Sequence, residues 1–129
     1  MAFSTNTAAD LNALMTALDT FAVANGWTSD EINTAGGESA MHRNSVWVSF
    51  KWATSSPTNL SVYQALGYGG TPGAGTDDSG NGYNGPSAWS DSNAALERCV
   101  QGIGNGPFTY WFFEQDFYLH VVVEVSAGL

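Results

Sequence analysis

Two apolar runs separated by three polar residues dominate the last quarter of the chain: Pro107 to Phe113, then Glu114-Gln115-Asp116, then Phe117 to Val125. Aromatic and β-branched residues suit a pleated, half-buried surface, and a polar trio suits a short turn, so the pattern predicts a β-hairpin. Alternation in the second run puts Phe117, Leu119, Val121, Val123 and Val125 on one face, which is wholly apolar and should floor the core. Tyr118, His120, Val122 and Glu124 take the other face. That face is mixed, and so meets solvent, a second layer or a partner chain.

The remaining pattern is read in chain order. Residues 1 to 6 look like a short arm. Thr7 to Ala24 is predicted as a helix, with Leu11, Leu14, Met15, Leu18, Phe21 and Ala22 at helical spacing on one face. Thr7 with Asp10 three residues on resembles a capping box with Asp in place of Glu. Asn25-Gly26 supplies the stop, because both residues tolerate the left-handed conformation that ends helices. Trp27 should bury beside the helix end, and Thr28 to Glu31 should form a short helical turn. Ala40 to Arg43 and Ser45 to Trp52 read as two strands or one bent strand. In the second, Val46, Val48, Phe50 and Trp52 alternate with Trp47, Ser49 and Lys51, the mark of an antiparallel strand with one buried side. Leu60 to Leu66 fits a strand better than a helical turn. Ala94 to Val100 fits either.

Gly67 to Gly85 breaks the pattern. Eight of these residues are glycine, so no regular element is expected there. Long irregular segments of this kind are usually functional, ordered by a partner or disordered. The fold class that follows is α+β: an N-terminal helix (7–24) packed on a mainly antiparallel sheet or small sandwich, with residues 40–129 β-rich and the whole of 1–129 one domain.

Composition narrows the function. The chain has 129 residues, twelve carboxylates and three basic residues, for a net charge of -9. Arg43, Lys51 and Arg98 are too few and too scattered to displace counterions from nucleic acid or to bind an anionic membrane. One cysteine, Cys99, excludes an intrachain disulfide and fits a reducing compartment. No signal peptide or membrane-spanning run is expected.

The candidate chemistry is thin. Asp77, Ser79 and Asn81 with Gly82 resemble the opening of a calcium loop, but Ala88 stands where the bidentate carboxylate belongs. Cys99 with His42 or His120 would make a nucleophile and base only if the fold brought them together. A buried cysteine and packed histidines explain all three more simply. Glu114 and Asp116 would lie on one side of the turn and form an acid/base pair. A solvated turn accounts for them as well. Neither a catalytic set nor a cofactor is expected, and the chain is read as a non-enzyme. Among the aromatics, Trp47, Trp52, Tyr63, Tyr68, Tyr83, Trp89, Tyr110 and Trp111 include candidates for a sugar-stacking platform or a protein interface.

The helix ending in Ala24-Asn25-Gly26-Trp27, the strand Val46 to Trp52, the Gly/Tyr loop, and Tyr110-Trp111-Phe112-Phe113 followed by Phe117 to Val125 resemble small structural proteins of tailed bacteriophages. In those relatives the last strand continues into a segment rich in His, Phe and Gly, which is missing here. The resemblance implies a virion component of the tail, baseplate, neck or capsid surface, made in the host bacterial cytoplasm and assembled with other virion proteins and copies of itself. It transfers no catalytic residue. The expected contact residues are Tyr68, Tyr83 and Trp89 in and beyond the glycine-rich loop, and Val122 and Glu124 on the mixed face of the last strand. A carbohydrate-binding or host-recognition module is the alternative.

Overall fold

The computed structural model describes residues 1–44, 46–55, 58–65, 97–101, 103–116 and 118–125. In chain order they form β1 (Ala2–Ala8), α1 (Leu11–Ala24), β2 (Thr28–Asn33), β3 (Glu38–Arg43), β4 (Val46–Ala53), β5 (Asn59–Ala65), β6 (Glu97–Gln101), β7 (Phe108–Gln115) and β8 (Tyr118–Val125). The strands make two antiparallel sheets, one ordered β1-β7-β8 and one ordered β2-β3-β4-β5-β6. The fold is α+β. Residues 67–85 and Trp89 lie outside the described residues.

The N-terminal arm is a strand. Ala2 to Ala8 pairs in unbroken antiparallel register with Glu114 to Phe108. Thr7 therefore belongs to β1, and the helix starts later, at Leu11. Asp10 caps it, its Oδ1 accepting from the Ala13 amide at 2.8 Å. The carboxylate satisfies one of the amides that a helix start leaves without a partner. The helix ends as expected. Asn25 is the C-cap, Gly26 follows at φ +88°, and the Trp27 amide donates to the Ala22 carbonyl. Trp27 is buried.

Thr28 to Glu31 belongs to strand β2 and not to a helical turn. Pairing with β3 overrides the polar local sequence, and the register shifts between Ser29 and Glu31. The tight connection from β2 to β3 depends on Gly37. Its φ is +69°, and a Cβ there would collide with the Trp52 carbonyl oxygen. The Gly37 carbonyl in turn accepts from the Trp52 amide at 2.8 Å.

Helix α1 joins the two sheets. Leu11, Leu14, Met15, Leu18 and Ala22 are fully buried against one cluster. That cluster takes Met41, Phe50, Trp52 and Leu60 from the larger sheet and Phe108, Tyr110 and Phe112 from the smaller. Val46 and Val48 join from β4, and Leu119, Val121 and Val123 from β8, on the faces the alternation assigns. The single buried side expected for β4 is corrected: on its opposite face Ser49, Ala40 beside it, Ser61 and Glu38 are buried as well. A directed hydrogen bond fixes the helix on the larger sheet: Trp52 Nε1 donates to Asn12 Oδ1 at 2.7 Å.

Candidate assembly face

The three-stranded sheet has one buried side and one open side. In β7, Phe108, Tyr110, Phe112 and Glu114 are buried, while the residues between them are part-exposed or exposed. The ladders extend this sidedness across the sheet. Phe3 lies beside Phe113 and His120, and Thr5 beside Trp111 and Val122. Thr7 lies beside Thr109 and Glu124. The outer surface is thus an array centred on Phe3, Trp111, Phe113, Tyr118 and Val122. Phe3 is 56% exposed, Tyr118 67% and Val122 50%. Phe3 and Phe113 have ring centroids 5.0 Å apart, and Tyr118 stacks on His120 at 6.2 Å.

Charge is scarce on this surface. Among the described residues of the outer face, Glu124 carries the sole carboxylate. Glu114 points the other way, into the core side, where it pairs with Arg43 of β3. The Arg43 guanidinium also donates to the Asn25 carbonyl at 3.2 Å and lies against Gly26. One cation therefore ties the helix C-terminus, the larger sheet and the smaller sheet together. This buried link answers the proposed acid/base pair. Glu114 is a strand residue opposite Leu119, not a turn residue, and Asp116 sits exposed in the turn at φ 55°. The two carboxyls do different things on different sides.

The nucleophile and base are not assembled either. His42 is on β3 and its Nδ1 lies 2.8 Å from Asp30 Oδ2. His120 is exposed on β8 of the other sheet. Cys99 is on β6, three strands from β3, and pairs with Ser61 in the row that leads to Glu38. At about 4.8 Å per strand and about 3.3 Å per residue, the Cys99 and His42 backbones are roughly 20 Å apart.

Three of the aromatic candidates have described side chains. Trp52 and Tyr110 are core residues. Trp111 belongs to the open face. Val122 and Glu124 lie on the open face, as their alternation requires. Tyr68, Tyr83, Trp89 and the Asp77 to Gly82 segment lie outside the described residues. Phe3 and Phe113 escape the sequence reading. For Phe113 the signal was present, since it alternates with Phe112. For Phe3 it was absent, because a single aromatic among Ser, Thr and Asn carries no period.

An open groove of about 560 Å³ runs between α1 and the smaller sheet, lined by Ser4, Thr16, Thr20, Phe21, Tyr110 and alanines. It contains no carboxylate, histidine, cysteine or cation. No cluster of His, Cys, Asp and Glu that could hold a metal ion occurs among the described residues, and no helix there is long and apolar enough to cross a membrane. No protein-family model, curated protein or solved structure matches the chain.

Proposed function

We propose that this chain is a structural subunit of a tailed-bacteriophage particle and acts by docking the open face of its three-stranded sheet on other protein. The sequence resemblance supplies the particle, and the open aromatic face supports the means. Large apolar side chains grouped on one exposed surface are uncommon on monomeric proteins and mark interaction sites. Trp and Tyr carry much of the binding energy at protein interfaces. The rest of an acidic chain is poorly suited to close approach, whereas this face is almost uncharged.

The test combines particle composition with a face variant. Mass spectrometry of purified particles carrying the gene should find the protein at stoichiometric level. Phe3→Ser with Tyr118→Ser should fold with near-native stability, since both side chains are mostly exposed, yet weaken incorporation on the order of tenfold to a hundredfold. A protein absent from particles, or a double variant incorporated normally, would refute the reading.

A carbohydrate-binding role has one observation in its favour: Thr5 lies opposite Trp111 and Thr7 opposite Thr109 on the same face, so hydroxyl-bearing residues neighbour an indole. Quenching of tryptophan fluorescence by millimolar oligosaccharide, lost on Trp111→Ala, would select it.

A further inference from the structure

We infer that the edge of β8 left without a partner strand among the described residues pairs with β8 of a second copy, antiparallel and about a two-fold axis at Val122, so that two three-stranded sheets become one of six. The inference rests on the assembly reading above and names its first partner.

Strand β8 is an edge. Among the described residues it pairs with β7 alone, in regular register. Soluble proteins usually blunt such edges with proline, lysine, bulges or inward charge. Residues 118–125 contain no proline and no lysine, and three consecutive valines occupy positions 121–123. The edge of the larger sheet at β2 shows the opposite treatment, with a register shift between Ser29 and Glu31 and the acidic residues Asp30 and Glu31.

The polar residues on β8 specify the register. His120 and Glu124 flank Val122 symmetrically, two residues to each side. An antiparallel self-pairing centred on Val122 sets His120 opposite Glu124 of the second copy, and does so twice. It also sets Val122 opposite Val122 and Val121 opposite Val123. An imidazole N–H can donate to a carboxylate, and β-branched cross-strand pairs stabilise such ladders, whereas like charges directly opposite destabilise them. Shifting the centre by one residue would set His120 opposite Val122 and leave Glu124 facing Tyr118. The other edge of the sheet, β1, carries no charged residue and nothing that selects a register.

Area favours the same arrangement. Three strands about 4.8 Å apart and about seven residues long give an outer face of roughly 300 Å², well below the ~800 Å² per partner of a stable interface. Pairing at β8 doubles the continuous aromatic face and adds roughly four to six backbone hydrogen bonds over residues 120–124. Net charge of -9 per copy opposes association elsewhere, and Glu124 is the sole carboxylate on this outer surface among the described residues.

Sedimentation equilibrium on the full chain gives the test. Wild type should be dimeric at tens of micromolar. Val122→Lys places two ammonium groups on the axis and should raise the dimer dissociation constant at least a hundredfold without changing the circular dichroism spectrum. His120→Glu should weaken the dimer about tenfold or more, and Glu124→Lys added to it should restore association. Val122→Cys should cross-link under mild oxidation, because Cα atoms directly opposite in an antiparallel ladder are within disulfide reach. His120→Cys should not, and wild type with Cys99 is the control. A dimer indifferent to Val122→Lys, or a charge reversal that fails to restore, overturns the β8 pairing and leaves the assembly reading standing. A wild-type monomer that still enters particles through Phe3 and Tyr118 does the same.

Discussion

Arg43 and Glu114 make an asymmetric pair, and their replacement by leucine should be asymmetric too. The Glu114 side chain is 8% exposed and that of Arg43 27%. Arg43→Leu strands a carboxylate beside the aromatic core, with little access to water. Removing one partner of a buried ion pair typically costs about 3–5 kcal/mol. Glu114→Leu leaves a guanidinium that keeps the Asn25 carbonyl and reaches solvent, so only a charge-assisted bond is lost, roughly 1–2 kcal/mol. The double replacement removes both charges and should cost less than the sum of the singles by about 1–3 kcal/mol. A domain of this size is stable by about 5–15 kcal/mol, so Arg43→Leu alone removes a large fraction. Urea unfolding at neutral pH, followed by tryptophan fluorescence and far-ultraviolet circular dichroism, measures all three. Equal costs for the two singles, or strict additivity in the double, would refute the claim that this cation bridges the sheets.

Other substitutions test separate parts of the fold by the same melts. Gly37→Ala should destabilise by about 1–3 kcal/mol, because the residue has positive φ and faces the Trp52 carbonyl; a neutral result would mean the turn is remade. Asp10→Ala should cost about 1 kcal/mol by uncapping α1, and Asp10→Asn much less. Ser39→Ala should be neutral or stabilising by up to about 1 kcal/mol. Its hydroxyl is buried with no hydrogen-bond partner among the described residues, so a clear loss of stability would show that a partner exists.

The elements with a strong period could be read from the sequence, and those fixed by distant partners could not. Leu11 to Ala22 repeats at helical spacing, and Val46 to Trp52 and Leu119 to Val123 alternate, so the helix and the core faces of β4 and β8 follow directly. Strand β1 is made of Ala, Ser, Thr and Asn with one Phe. Its identity comes from pairing with residues about a hundred positions away. Strand β2 is polar and acidic, and β3 holds it in the sheet. Glu114 reads as a turn residue in the sequence because a charge after an aromatic run resembles the start of a turn. In the fold it ends the buried side of β7, where Arg43 receives it. Val122 and Glu124 could be placed on an open face from alternation alone. The neighbours that make that face a surface, Phe3, Trp111 and Phe113, needed the register of three strands.

The pairing of β1 with β7 also constrains how the protein is made. A ribosome releases residues 2–8 long before residues 108–114 exist to receive them. The helix and the five-stranded sheet can condense first, while the leading segment waits without a ladder. Only the hairpin of β7 and β8, which emerges much later, gives that segment a place and completes the aromatic surface. Polypeptides broken off before Phe108 therefore cannot display it, and under the assembly proposed above they would lack the docking surface.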